Sequence, residues 1–183
     1  TESSGMVDSL YRNDRDDVDC YTATGSFGQG LTATPLQMVS SFAAIANGGN
    51  LMRPYIIEKV VYADGTVEHT EPITIRQVIK KRTSQLISGM LVRVIDEGQA
   101  SAAQVDGYYL AGKAGTAQIP GKGGYTSDTN HSFVGYGPVD DPQFVMIIKF
   151  EKPKRAYSST TAAPTFREIA KVILEYYQIA PDY

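Results

Sequence analysis

The sequence is poor in the residues on which several classes of protein depend. Cys20 is the single cysteine, so no disulfide can form within the chain and a cysteine-rich metal site is excluded. The net charge is only −3 and no stripe of lysine and arginine is present, which argues against a nucleic-acid partner. No apolar run approaches the length of a membrane-spanning helix. The first residue is Thr1 and not methionine, so the lack of a leader peptide says nothing about the native N-terminus.

What remains is the composition of a globular protein. Hydrophobic residues make up 42% and charged residues 20% of the 183 residues. A chain of this length suits one domain, or a large part of one. Residues 1–25 are polar, and we predict that they form an irregular opening segment. A charged run within it lacks calcium-loop spacing, so we expect a solvated loop and no metal site. That run consists of Arg12, Asp14, Arg15, Asp16, Asp17 and Asp19.

Apolar residues at helical spacing predict three helices in the rest of the chain. The first runs from Thr34-Pro35, a capping residue and a first-turn proline, to Asn47-Gly48-Gly49. The second spans residues 84–97, and the third begins near Pro164. We expect core faces formed by Leu86, Ile87, Met90, Leu91, Val94 and Ile95 in the second helix and by Phe166, Ile169, Ala170, Ile173 and Tyr177 in the third.

Runs of β-branched and aromatic residues predict strands joined by short turns. Such an arrangement favours an antiparallel sheet, so the expected fold class over residues 26–183 is α+β, an antiparallel β-sheet covered by helices. The run at 144–150 is continuously apolar and is predicted to be buried on both faces. The predicted hairpin covers 54–70, further strands begin near Tyr108 and cover 131–137 and 144–150, and a flexible loop covers 121–130.

Neither histidine is predicted to be catalytic. No serine or carboxylate pattern surrounds His69, which we interpret as a surface residue. His131 directly precedes Ser132, and neighbouring strand residues point to opposite faces of a sheet. The two side chains therefore cannot serve as base and nucleophile of one site.

The stretch Gly112–Gln118 has the composition of a strand that a ligand approaches closely. Small side chains let a ligand lie along the backbone, while Lys113 offers a charge to an anion and Thr116 offers a hydroxyl. The alternative interpretation is a small-residue strand packed under a helix, with a lysine on the surface.

Five short motifs occur in a fixed order over roughly residues 20–180. They are Ser26-Phe-Gly-Gln-Gly30, Thr34-Pro-Leu-Gln37, Ala46-Asn-Gly-Gly49, Gly112-Lys-Ala-Gly-Thr-Ala-Gln118 and Ser132-Phe-Val-Gly135. Together they resemble the C-terminal part of a penicillin-binding protein transpeptidase domain, most of all that of the class B, monofunctional enzymes of septal, elongation or sporulation wall synthesis.

The resemblance implies that residues 1–183 are the C-terminal portion of one transpeptidase domain, with part of the fold that penicillin-binding proteins share with β-lactamases. In such enzymes a serine attacks the D-Ala-D-Ala end of a peptidoglycan stem peptide, without a cofactor, and the acyl group passes to an amine of a neighbouring strand. β-Lactams trap the same serine. The implied partners are the N-terminal half of the domain and other cell-wall synthesis proteins, at the extracytoplasmic face of the bacterial membrane.

The resemblance also implies roles for single residues. Lys113 corresponds to the first residue of the family's Lys-Thr/Ser-Gly motif, where it orients the serine motifs and receives the substrate's carboxylate. Gly115 lets the substrate backbone lie along the strand, and Thr116 binds the carboxylate and completes an oxyanion hole with its N–H. The implied catalytic residues are thus Lys113, Gly115 and Thr116, and the implied substrate and β-lactam site is Lys113, Ala114, Gly115, Thr116, Ala117 and Gln118.

Two further motifs of the family are absent. The sequence contains no Ser-x-x-Lys, which would hold the nucleophile, and no Ser-x-Asn. Ser127-Asp-Thr-Asn130 is one residue too long and follows the lysine instead of preceding it. We therefore expect the chain alone to be inactive and to expose apolar faces that favour self-association.

Two alternatives remain open. The chain could be a naturally truncated, non-catalytic homologue that binds peptidoglycan or partner proteins, or a relative of the β-lactam sensors and β-lactamases. The Ser26–Gly30 and Thr34–Gln37 motifs favour the transpeptidases over the second of these alternatives.

The family usually has Thr or Ser where this chain has Ala114, so one hydroxyl that could bind a carboxylate is missing. If no other group compensates, the loss is worth about 1.5–3 kcal/mol, the value of a hydrogen bond to a charged group. Ala114→Thr in the protein that contains this chain should then accelerate acylation by some β-lactams without being needed for activity. Unchanged acylation rates across a panel of β-lactams would show that another group compensates.

Overall fold

The computed structural model describes residues 4–8 and 20–183. The predicted charged run from Arg12 to Asp19 lies outside the described residues. The prediction that residues 1–25 are irregular is wrong at its end, because Cys20–Gly25 form a short helix, α1. Met6 exchanges backbone hydrogen bonds of 2.8 and 2.9 Å with Thr32, and these join the opening segment to the stretch before the next helix.

The remaining helices within the described residues are α2 (Pro35–Ala46), α3 (Lys81–Asp96) and α4 (Ala162–Tyr176). Short 3₁₀ turns are formed by Ser101–Ala103 and by Ser158–Thr160, and we call the latter the Ser158 turn. The strands are β1 (Asn50–Met52), β2 (Lys59–Val61), β3 (Val67–His69), β4 (Thr74–Gln77), β5 (Ala111–Gly121), β6 (Gly124–Gly137) and β7 (Phe144–Glu151). None of the described helices is long and apolar enough to cross a bilayer.

The main sheet is antiparallel, with the strand order β5-β6-β7. The other strands pair as β1-β4 and as the hairpin β2-β3. The register of the main sheet places Lys113 opposite Val134 and Thr116 opposite His131. With helices packed on this sheet, the predicted α+β class is confirmed.

Alternation along β5 gives the sheet two different faces. The face that carries Ala114, Thr116 and their partner Phe133 is called the back face here, and the face that carries Lys113 and Gly115 is called the front face. The two faces have different neighbours, so adjacent residues of one strand serve different environments.

The back face is covered by α4, which packs into the main core. The Phe166 ring lies 4.7 Å from the Phe133 ring and 6.4 Å from the Phe144 ring, measured between centroids. Phe133 and Phe166 are fully buried, and Ile95 from the last turn of α3 joins the same cluster. Burial of aromatic side chains dominates the stability of such a core.

The front face is covered by α2 and α3 at one end only, around Ala111 and Tyr136, which are fully buried. The Tyr136 hydroxyl lies 2.6 Å from the Ser88 hydroxyl of α3. Burial raises the pKa of Tyr136, although the bond to Ser88 acts in the opposite direction. At the other end of this face, Ser132 lines an open groove.

Local signals set the ends of α2 as predicted. The Thr34 hydroxyl accepts the Gln37 N–H at 3.1 Å, and the Gln37 side chain accepts the Thr34 N–H at 2.9 Å, which completes a capping box. Gly49 has a φ of +104°, and a Cβ there would collide with the Ile79 carbonyl oxygen. Glycine is therefore required at the end of this helix on two grounds.

The hairpin predicted over 54–70 is confirmed but shorter, since only β2 and β3 are paired. Asp64-Gly65 form its turn, where Asp64 accepts the Thr66 N–H at 2.9 Å. His69 is exposed at the end of β3, as predicted for a surface residue.

Three other predictions are wrong. The segment 121–130 is not a loop, because β5 and β6 continue to a tight turn at Lys122-Gly123 and Gly121 pairs with Gly124. β7 is not buried on both faces, since Phe150 is 38% exposed. The predicted core faces are only half buried. Leu91 and Ile95 of α3 and Phe166 and Ala170 of α4 are buried, while the exposed members are Leu86, Met90, Ile169 and Tyr177.

Phe166→Ala should destabilise the fold by about 3–5 kcal/mol, because it removes a fully buried ring from between two others. Urea unfolding followed by circular dichroism measures this loss. Tyr176→Ala is the matched control, since this aromatic side chain of the same helix is 78% exposed. Equal losses in the two variants would contradict the assignment of the core.

Candidate active site

The lysine predicted to bind an anion lies on an edge strand. Within the described residues β5 pairs with β6 alone, so its outer side is left without a strand partner. The Lys113 ammonium donates a hydrogen bond of 2.9 Å to the Ala114 carbonyl. No described carboxylate forms an ion pair with Lys113, whereas Lys149 and Lys152 are paired with Glu151 and Asp128.

Thr116 is fixed by the Ser158 turn, which follows it by 42 positions. The Thr116 hydroxyl accepts the Ser158 N–H at 3.1 Å and donates to the Ser158 Oγ at 3.2 Å. Ser158 is only 2% exposed, so this pair sits at the inner wall of a cleft. The hydroxyl that the sequence assigned to ligand binding is thus already oriented by the protein.

We call the cavity beside this pair the lysine cleft. It has a volume of about 740 Å³ and lies between β5, the Ser158 turn and the end of α3. None of its lining residues is acidic, so the Lys113 charge is not neutralised within it. The lining residues are Val94, Gln99, Ala100, Lys113, Ala114, Thr116, Tyr157, Ser158 and Ser159.

A second cavity, the front groove, lies on the front face and has a volume of about 630 Å³. One wall is the stretch 28–33 before α2, and the Gly30 N–H donates to the Tyr125 hydroxyl at 3.3 Å across it. The floor is formed by the sheet, including Ala117, Ser132 and Ile147. Small and apolar residues dominate this surface, as expected where another element packs.

Gly115 lies in close contact with the neighbouring strand on the front face. A Cβ at Gly115 would lie 2.7 Å from the Ser132 Oγ, its partner in the register. At Gly112 the corresponding atom would lie 2.7 Å from the Phe133 ring. Both glycines therefore keep the lysine strand flat against its neighbours.

His131 is fully buried beneath the back face. Its Nδ1 lies 2.8 Å from the Thr161 hydroxyl and its Nε2 lies 3.2 Å from the Thr129 hydroxyl. Ser132 lines the front groove instead, which confirms that His131 and Ser132 do not share a site. His131 therefore links β6, where it lies opposite Thr116, to Thr161, the residue directly after the Ser158 turn.

The predicted binding stretch is divided between the two cavities. Lys113, Ala114 and Thr116 line the lysine cleft, whereas Ala117 and Gln118 line the front groove. The sequence prediction missed Tyr157, Ser158, Ser159 and Gln99, which belong to no motif used for it. The hydroxyl-rich run Ser158-Ser159-Thr160-Thr161 just before the last helix is a sequence signal for two of them, Ser158 and Ser159. Among residues 4–8 and 20–183, no group of three or more potential metal ligands occurs.

Comparison with known proteins gives a consistent result. The family model described as the penicillin binding protein transpeptidase domain matches residues 1–171. Stage V sporulation protein D of Bacillus subtilis is 38% identical over 165 residues, which cover 87% of this chain and 25% of that protein. Penicillin-binding protein PbpB of Mycolicibacterium smegmatis is 37% identical over 171 residues, 85% of this chain and 26% of that protein.

Solved structures agree with these sequence relatives. The apo crystal structure of penicillin binding protein 3 from Mycobacterium tuberculosis superposes with a TM-score of 0.85 at 32% identity, over 100% of this chain and 43% of that one. Its complex with aztreonam gives a TM-score of 0.84, with the same identity and coverage. The chain spans about a quarter of the length of the sequence relatives named above.

Gly115→Ala should destabilise the protein by at most about 0.5–1.5 kcal/mol, because the added methyl group forces the Ser132 Oγ, the end of a short rotatable side chain, out of its present rotamer. Removing that oxygen in the double variant Gly115→Ala/Ser132→Ala should restore most of the loss, which chemical denaturation measures. Gly89→Ala is the matched control, since no atom lies within 4 Å of a Cβ at this position in α3. It should raise stability by about 0.5–1 kcal/mol. If Gly115→Ala lowers stability equally in the wild-type and in the Ser132→Ala background, the contact between Gly115 and the Ser132 Oγ is contradicted.

Proposed function

This chain belongs to the penicillin-binding protein transpeptidase family, and we propose that it supplies the lysine-strand wall of the active site of a serine D,D-transpeptidase. The proposed reaction is acyl transfer from the D-Ala-D-Ala end of one peptidoglycan stem peptide to an amine of another. The observation that carries the proposal is the position of Lys113 and Thr116 on the free edge of β5, at the rim of a cleft without acidic residues.

The free edge suits an extended peptide substrate. Backbone groups on the outer side of β5 have no strand partner among the described residues, so a stem peptide can add as a further strand. Gly115 has no side chain to obstruct this approach. Hydrogen bonds of this kind hold a substrate along the strand whatever its side chains are.

The charge in the cleft suits the terminal carboxylate of D-Ala. Lys113 has no carboxylate partner in the described part of the chain, so its ammonium is available to an incoming anion. Thr116 offers a hydroxyl beside it, and its backbone N–H is proposed to stabilise the oxyanion that develops during attack. The β-lactam carboxylate would take the same place. The similar Mycobacterium tuberculosis protein was crystallised with aztreonam, which supports this proposal.

The nucleophile must come from outside these 183 residues, because they contain no Ser-x-x-Lys and no Ser-x-Asn. We propose that the N-terminal half of the same domain brings both motifs and packs over the front groove. The groove's small and apolar floor, which includes Ala117 and Ser132, leaves room for a helix to lie close to the strand. The chain alone is therefore proposed to be inactive.

The proposed setting is the extracytoplasmic face of a bacterial membrane, in the cell-wall synthesis that accompanies division, shape maintenance or sporulation. Other wall-synthesis proteins are the expected partners. A sporulation protein and a PbpB protein among the relatives support this setting without deciding between these processes.

Fluorescent penicillin should label the native gene product on a band larger than 19.9 kDa, the mass of this chain, and peptides from that band should include this sequence. Lys113→Ala should slow labelling by about a hundredfold, the range for loss of one electrostatic group in an acyl-transfer site. Lys122→Ala is the matched control, because this exposed lysine lies in the tight turn between β5 and β6. A native product near 20 kDa that takes up no label would instead identify a non-catalytic homologue.

A further inference from the structure

The Ser158 turn contributes to the lysine cleft although no sequence motif of the site includes it. Ser158 forms two hydrogen bonds with Thr116: its N–H donates to the Thr116 Oγ1 at 3.1 Å, and its Oγ accepts the Thr116 hydroxyl proton at 3.2 Å. An exposed threonine can place its hydroxyl in several rotamers. These two bonds select one of them, in which the hydroxyl lies at the wall of the cleft.

The turn is also bonded to the same sheet at a second point. Thr161, directly after the turn, bonds to His131 at 2.8 Å, and His131 lies opposite Thr116 in the strand register. The Thr160 hydroxyl donates to the Tyr157 carbonyl at 2.8 Å and braces the turn internally. Ser158 and Thr116 are therefore positioned by one connected set of contacts.

The two bonds between Ser158 and Thr116 lie close to Ala114, where the family usually has a hydroxyl. Ala114 and Thr116 are two positions apart on β5 and so project to the same face, and both line the lysine cleft together with Ser158. In the family pattern, position 114 carries a second hydroxyl for the carboxylate. In this chain the buried Ser158 is bonded instead to Thr116, which carries the one hydroxyl left in the lysine motif.

We propose that Ser158 is a positioning residue for carboxylate recognition. Without a ligand, the Thr116 hydroxyl donates its one proton to the Ser158 Oγ. When a carboxylate enters, the Ser158 hydroxyl turns to donate to the Thr116 Oγ1, which frees the Thr116 proton for the carboxylate and so compensates for the missing hydroxyl at Ala114. The proposal rests on the proposed transpeptidase function and assigns a new residue to its substrate site. Ser158 acts through Thr116 and not by direct contact, since it is only 2% exposed. It therefore affects how tightly a carboxylate ligand binds before acylation, and leaves the rate of the chemical step unchanged.

The test uses the complete protein that contains this chain, and a fluorescent penicillin as the carboxylate ligand. Acylation is followed over a range of penicillin concentrations, which separates the dissociation constant of the first complex from the rate constant of acylation. Ser158→Ala should raise the dissociation constant about three- to tenfold, the effect of one neutral hydrogen bond, at an unchanged rate constant. Ala114→Thr should have little effect in the wild-type background but should recover most of the loss in the Ser158→Ala background.

The matched control is Ser127→Ala, an exposed serine of β6 that lines neither cavity, and it should leave both constants unchanged. In a Thr116→Val background, Ser158→Ala should have no further effect, because the hydroxyl that it orients is gone. If Ser158→Ala does not fold, Ser158→Cys nearly keeps the volume while it replaces the hydroxyl with a weak donor and weak acceptor, and the same outcomes apply to it.

Three outcomes would overturn the inference. The first is an unchanged dissociation constant in Ser158→Ala. The second is a lower rate constant of acylation in this variant. The third is that adding Ala114→Thr to Ser158→Ala does not lower the dissociation constant again. Any of these in a protein that penicillin acylates normally leaves the proposed function intact. A wild-type protein that penicillin does not acylate overturns both the inference and the proposed function.

Discussion

The one-sided pairing of β5 is the constraint on which the rest of the site depends. A strand at the edge of a sheet has hydrogen bonds on one side only, and its free groups invite another strand to add. These free groups can bind an extended ligand in a defined position only if the other contacts of the strand hold it in place. β6 fixes its register, and the main core fixes its back face, where Phe133 lies opposite Ala114 and packs against Phe166. The glycines at 112 and 115 let the strand lie close to these supports.

Several cations in the described part of the chain form ion pairs, whereas Lys113 does not. Arg93, Lys149, Lys152 and Arg167 each pair with a carboxylate in the described part of the chain. These exposed pairs contribute little to stability, because water screens them. Lys113 differs from these cations because the lining of its cleft contains no acidic residue, which leaves its charge available to an anionic ligand. A point charge on a flexible stem also accepts ligands of varied geometry.

The sequence was most informative where structure is decided locally. Thr34 and Gln37 cap one helix within four residues, and the glycine after it ends the same helix, so its limits could be predicted. The limits of burial could not, because helical spacing shows that Leu86 and Met90 share a face with Leu91 without showing whether anything covers them. The wrongly predicted loop at 121–130 is polar and glycine-rich, and only its pairing with β5 makes it a strand. The contact between Thr116 and Ser158 spans 42 positions, which no motif or periodicity within one segment can reveal.

Alternation on a single edge strand explains how one short motif serves two purposes. Gly115 faces the front, where the chain offers a small-residue groove, while Thr116 faces the Ser158 turn on the back. Lys113 starts on the front face and yet lines the lysine cleft, because its ammonium turns back to the Ala114 carbonyl of the edge strand. A ligand at this edge can reach groups of both faces. A peptide lying along β5 would therefore meet the charge and the oriented hydroxyl together, and it would lie beside the face proposed to receive the nucleophile. Since His131 joins the residue after the Ser158 turn to the strand opposite Thr116, the two walls of the cleft share one support.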